Sequence, residues 1–209
     1  FKTPAFAMGL TLHYSARLRH PEQLPELCDE ITDICESLHW PCRPVDMTFD
    51  VEAQYVPDES GDGKVKQVPL RGVVFTPPEC ETVSLTFTPT WRLSSAMNLM
   101  AADLFSDPEW VYSVHVKTQF AGPDVHIALV KLLKYLEKKY LDDVEVNDEG
   151  DYWETEDRAL LEKNFDTLTH YINVVADALE NYTGPVPGDG NPQSLADLIE
   201  KILREKLGG

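Results

Sequence analysis

Two histidines stand 102 positions apart in matching surroundings. His13 lies in "LHYSARLRHP" and His115 in "VHVKTQFAGP", and each is followed eight residues later by a proline, Pro21 or Pro123. Two imidazoles and a carboxylate suffice for a metal ion or for general-base chemistry. His13 and His115 are therefore candidate catalytic groups, with Glu154 as a candidate acid. A separation of about a hundred residues carries no metal-ligand signature, and His20, His39, His126 and His170 form no HxH, HxxxH or HExxH pattern. No metal and no other cofactor is expected, and a histidine on a strand is more often a hydrogen-bonded surface residue than a ligand.

A second concentration of chemistry is "VNDEGDYWETED". Asp148, Glu149, Asp151 and Glu154 surround Tyr152 and Trp153 there. Acids before a helix also favour its N-terminal dipole, which accounts for many of the carboxylates. It does not account for the two aromatics. Aromatic side chains among charges are what a partner-binding hot spot needs, so Asp148, Glu149, Asp151, Tyr152, Trp153 and Glu154 are the expected partner-binding set. "DESGDGKVK" places Asp58, Ser60, Asp62 and Gly63 as in a calcium loop, but Pro69 occupies the twelfth position, where a bidentate Glu is required. An exposed turn is the expected structure. No nucleophile elbow, phosphate-cradling glycine loop or dinucleotide fingerprint is present.

The chain carries 36 acidic and 18 basic side chains in 209 residues, a formal charge of −18. Such a field repels phosphate backbones and anionic membranes and speeds encounter with cations. Nucleic-acid binding is therefore not expected, and a basic protein partner is. The longest apolar runs, such as "GVVF" and "HIALV", fall far short of the roughly 20 residues that span a bilayer. The apolar part of residues 1–10 is too short and interrupted for an intact signal peptide, and Met8 is a candidate native start. Cys28, Cys35, Cys42 and Cys80 include no CxxC pair and sit mostly in apolar patterns. Reduced thiols in a cytoplasmic setting are expected.

The elements that must position these groups follow from periodicity. Leu10, Leu12, Tyr14, Ala16 and Leu18 alternate as one face of a strand, leaving His13 on the other. Leu24, Leu27, Cys28, Ile31, Ile34, Cys35 and Leu38 step by threes and fours, which predicts an amphipathic helix opened by Pro21 and ended by "WPCRP". Its outer face is acidic: Glu22, Glu26, Asp29, Glu30, Asp33 and Glu36. Three strands with turns between them are predicted over 45–56, 65–76 and 82–91, and then a short Ser-capped helix near 94–105.

The opening order then recurs. A strand over 110–120 precedes a Pro123-opened helix to about Tyr140, whose outer face carries Lys131, Lys134, Lys138 and Lys139, and a strand or hairpin around Gly150 follows. A long helix is predicted over 156–182 and a last one after Asn191. Only four identities support the repeat over residues 10–46, so a shared plan is indicated rather than a duplication.

The expected fold is α+β in one domain over residues 1–209. Two β-α-β units, about 9–56 and 110–155, flank an antiparallel meander, helices pack on one face of a mixed sheet, and a helical segment covers 156–209. If both unit helices share a face, the acidic side of the first lies near the lysines of the second. The leading functional expectation is a non-catalytic acidic protein that binds, and thereby inhibits or neutralises, a basic protein in the manner of an immunity protein or antitoxin. The alternatives are a hydrolase, metal-assisted, built on His13, His115 and nearby carboxylates, and a regulatory domain that binds a small molecule.

Overall fold

The computed structural model describes residues 10–180. The expectations for residues 1–9 and for the helix after Asn191 lie outside the described residues. The chain divides into two compact units, one ending at Leu161 and the other beginning at Glu162. Among the described residues, all the sheet structure belongs to the first.

Strand β1, Thr11–Leu18, buries Leu12, Tyr14, Ala16 and Leu18, the alternation that the sequence predicts. Pro21 starts a single 3-10 turn, Pro21–Gln23, which runs into helix α1, Leu24–Leu38. Leu27, Ile31 and Cys35 form its buried stripe, each fully removed from solvent, with Leu27 and Ile31 each contributing about 1.5–3 kcal/mol through burial. His39 closes the helix in the left-handed conformation. Strands β2 (Cys42–Glu52), β3 (Val65–Phe75), β4 (Val83–Phe87) and β5 (Leu93–Ser94) follow as the expected meander. Helix α2, Ala96–Met100, is capped by Ser95, whose hydroxyl accepts the Asn98 N–H. Strand β6 (Val114–Lys117), helix α3 (Gly122–Lys139) and strand β7 (Leu141–Asp148) complete the second predicted unit. Helix α4, Tyr152–Thr155, is one turn long, and helix α5 runs from Arg158 to Glu180.

The fold is α+β, and its strands divide between two antiparallel sheets, β6-β1-β7 and β2-β3-β4-β5. The second unit is a β-α-β unit split by β1, which pairs antiparallel with both β6 and β7. The first has the expected strand, helix and strand in order, but β1 and β2 enter different sheets. The reason is local: β2 and β3 pair along eleven residues, Cys42↔Phe75 to Glu52↔Val65, across a short connection. That pairing closes a smaller loop than any route back to β1.

Gly72 makes the close approach of β3 to β4 possible. Its φ is +146°, and a Cβ there would lie 2.2 Å from the Leu85 carbonyl oxygen. The 57–64 segment is the expected exposed turn except at Glu59, which is 3% exposed and packs by the buried Lys66 of β3. The Lys66 ammonium donates to the carbonyls of Val56, Pro57 and Glu59, so the turn is folded around an internal cation. The acidic side of α1 does meet the lysine side of α3. Lys139 Nζ lies 2.9 Å from Glu30 and 3.4 Å from Glu26, and Tyr135 and Tyr140 donate to Glu30.

Candidate functional site

His13 and His115 are direct cross-strand partners. In the antiparallel ladder of β1 and β6 they stand opposite one another, with ring centroids 5.9 Å apart and planes tilted by 39°. Equivalent positions of two strands can face each other at only one point of an antiparallel ladder, so the matching surroundings mark a local two-fold relation. That relation stops at the next strands, since β7 pairs with β1 whereas β2 leaves the sheet.

Glu149 joins the pair from the end of β7. One carboxylate oxygen is 3.8 Å from His13 Nε2 and the other accepts the Thr11 N–H at 2.9 Å. His13 is half-buried and His115 exposed. Among the described residues no three His, Cys, Asp or Glu side chains gather to hold a metal ion. Two imidazoles and a carboxylate in this arrangement can take up and pass a proton at the protein surface. Glu154, the third catalytic candidate, is exposed on α4 and is not brought to the histidines by any ion pair or hydrogen bond among the described residues.

The acid and aromatic segment divides. Asp148 and Tyr152 are buried, 5% and 7% exposed, and hold the segment from inside, whereas Glu149, Asp151, Trp153 and Glu154 are partly or fully exposed. The segment is a tight turn followed by one helical turn, bracketed by Asp151 and Glu156 in the left-handed conformation. Trp153 lies on the edge of this surface, with the Lys134 ammonium 5.3 Å from its ring. Asp148 accepts the N–H groups of Gly150 (2.7 Å) and Trp153 (2.8 Å) and forms a 3.0 Å ion pair with His126 Nε2.

On the other side of that ring, Nδ1 is 2.8 Å from the Thr118 hydroxyl, which also donates to the Leu10 carbonyl. Burial raises the Asp148 pKa, but the His126 hydrogen bond and charge and the two backbone N–H groups outweigh it and hold the carboxyl below its ordinary value. Hydroxyl, imidazole and carboxylate thus stand in the order of a nucleophilic triad. Thr118 and His126 are fully buried, however, so no substrate atom reaches the hydroxyl and the arrangement acts as a latch. Gly150 completes it: a Cβ there would lie 2.6 Å from Leu161 Cδ1 and 3.1 Å from His126 Cε1.

Two concavities open elsewhere on this unit. One, of about 320 Å³, is bordered by Arg17, Arg92, Glu109, Tyr112, Asp143 and Glu145. Its two cations are already committed, since Arg92 stacks 3.7 Å above the Tyr112 ring and pairs with Glu109 and Asp58, and Arg17 pairs with Asp143. The other, of about 520 Å³, crosses the face of the four-stranded sheet between β2 and α2 and reaches His115 on β6. It exists because α2, with five residues, is too short to cover strands of eleven.

The sequence reading missed His126, Thr118 and the buried carboxylate Glu59. His126 did carry a signal: it falls three, four and seven residues before Leu129, Val130 and Leu133, on the buried stripe of α3. Nothing local marks Thr118 or Glu59. Among the described residues no helix is long and apolar enough to cross a membrane. Comparisons with family models, with curated proteins and with solved structures found no match.

Proposed function

We propose that this chain is an acidic, non-catalytic protein that recognises a basic protein partner and, by covering a cationic surface, inhibits or neutralises it. The observation that carries this reading is an uneven neutralisation of charge. Asp29, Asp33 and Glu36 on the outer face of α1, and Glu145, Asp151 and Glu154 around β7 and α4, are exposed and form no ion pair among the described residues. Carboxylates left without counter-ions set up the field that steers a cationic partner. Beside them Trp153 offers an aromatic anchor, and Asp148 with its buried histidine keeps the turn that presents it rigid.

The test is capture of a partner followed by kinetics on the purified pair. A basic partner whose association slows as salt is raised, and at least tenfold when Glu149, Asp151 and Glu154 are changed to Lys, supports the reading. A partner that binds the charge-reversed chain equally well, or turnover of a small substrate by the chain alone, would overturn it. One observation favours a second reading, a hydrolase: His13, His115 and Glu149 do converge. That reading requires a bell-shaped pH profile of turnover that disappears in His13→Gln.

A further inference from the structure

Six arginines lie among the described residues, and five of them meet a carboxylate: Arg17 with Asp143, Arg19 with Asp142, Arg71 with Asp46, Arg92 with Glu109, and Arg158 with Asp124. Arg43 is the exception. In a chain with twice as many acids as bases, a guanidinium without a carboxylate stands out, and this one stands at the rim of the 520 Å³ groove.

The floor of that groove is apolar, made by Val45, Leu70 and Val74, with Met47 and Met97 as exposed lips. Arg43 pairs with Val74 and Val74 with Ser84. At a strand spacing of about 4.8 Å, Arg43 and Ser84 are roughly 10 Å apart across the floor. Beyond Ser84 the groove meets Val114 and His115 of β6. Tyr14 joins the two strands there, since it pairs with Val114 and its hydroxyl donates to the Ser84 carbonyl at 3.0 Å.

Most other polar groups of the lining are already engaged. The Asn98 amide donates to the Trp110, Val111 and Ser113 carbonyls, the Thr86 hydroxyl to Ser94 and the Ser95 hydroxyl to Asn98. The Glu81 carboxylate accepts the Lys117 N–H. The lining cation without a carboxylate is the Arg43 guanidinium, a planar fork suited to two oxygens of one carboxylate. A basic segment would meet that cation directly, so this groove is not a surface for the basic partner proposed above. A pocket of a few hundred Å³ with an apolar floor and a cation at one rim, its one lining carboxylate, Glu81, being held by the Lys117 N–H near β6, is of the kind that takes a small organic molecule. Methionine lips adapt to an unbranched chain.

We propose that this groove is a binding site for a small amphipathic carboxylic acid, with its apolar chain on Val45 and Val74 between the Met47 and Met97 lips and its carboxylate on Arg43. The Arg43 end of the groove is separate from the acidic surface around Glu149, while its other end reaches His115.

Titration of the full chain with octanoate, octan-1-ol and octylamine, followed by calorimetry and by NMR of the methionine methyl groups, tests it. Saturable binding of octanoate at one site, with shifts at Met47 and Met97, is expected. Arg43→Gln is expected to weaken it at least tenfold, as loss of a charge-assisted bidentate contact does, and Arg43→Lys less. Met97→Asp, which adds a negative charge at an exposed position, weakens octanoate without unfolding the chain. Octanoate that does not saturate, or that binds Arg43→Gln unchanged, overturns the proposal. So does octylamine bound as tightly as octanoate.

Discussion

His126 Nε2 lies 3.0 Å from Asp148 Oδ1, with both side chains sealed from solvent. The pair joins the start of α3 to the end of β7, and through the N–H groups of Gly150 and Trp153 it holds the turn on which the exposed acids stand. Breaking a buried pair leaves one polar group without its partner, which costs about 3–5 kcal/mol. Asp148→Ala is expected to destabilise the chain by that amount in urea denaturation, and Asp148→Asn by less, because an amide oxygen still accepts from the turn. A loss below about 1 kcal/mol for Asp148→Ala would show that the pair does not hold the turn.

The same pair sets a direction for pH dependence. Asp148 is held below its ordinary carboxyl value, so near pH 4 the unfolded chain binds a proton that the folded chain does not. Its contribution is complete above about pH 4 and is lost as pH falls through the folded value. The gap in stability between the native chain and Asp148→Asn is therefore expected to narrow as the pH falls below about 4. A constant gap on acid titration would contradict it.

Glu30 gives an independent acid limb. Hydrogen bonds from Tyr135 and Tyr140, with Lys139 beside them, outweigh desolvation and lower its pKa to about 2. The stabilisation is present above the ordinary glutamate value near 4.3 and fades as pH drops toward about 2. Solvent reaches this cluster, so Glu30→Gln is expected to cost only about 1 kcal/mol at neutral pH. The cost should shrink on acidification, as thermal unfolding at pH 7 and pH 3 can show.

Two glycines test close approach. A Cβ at Gly72 meets a backbone carbonyl at 2.2 Å in a left-handed conformation, whereas one at Gly150 meets the movable end of Leu161 at 2.6 Å. Gly72→Ala is expected to cost more than about 3 kcal/mol and Gly150→Ala about 1–3 kcal/mol. Leu161→Val should relieve the second and leave the first unchanged. Equal rescue of both, measured by denaturation of the double variants, would refute the assignment.

Thiol chemistry should be slow. Burial pushes Cys28 and Cys80 up to about 11 and Cys35, beside Cys42, up to about 12. The thiolate is the reactive form, so at pH 8 native Cys28 and Cys80 are expected to label on the order of a hundredfold, and Cys35 on the order of a thousandfold, more slowly than in urea, a difference set by thiolate fraction. Rapid native labelling followed by peptide mapping to any of these three would contradict it.

Much of the fold was legible because it is local. The alternation of Leu12, Tyr14, Ala16 and Leu18, the prolines that open α1 and α3, and the Ser95 cap are properties of short segments, and each element formed within a few residues of where its pattern lies. The encounter of His13 with His115 was visible as an echo in sequence. Its meaning was not, because an antiparallel ladder brings two such positions together only at one register.

Strand pairing and the inside or outside of a charged turn depend on contacts far apart in the chain. Asp148 reads as surface beside Glu149 and Asp151. It is inside because His126, 22 residues earlier, occupies the buried stripe of α3 and hydrogen-bonds its carboxylate. The residues by themselves determined the elements, the acidity and the apolar faces. Only the tertiary structure decided which carboxylates keep their charge exposed and which arginine among the described residues meets no carboxylate, because a charge is compensated by whatever lies within a few ångströms of it in space.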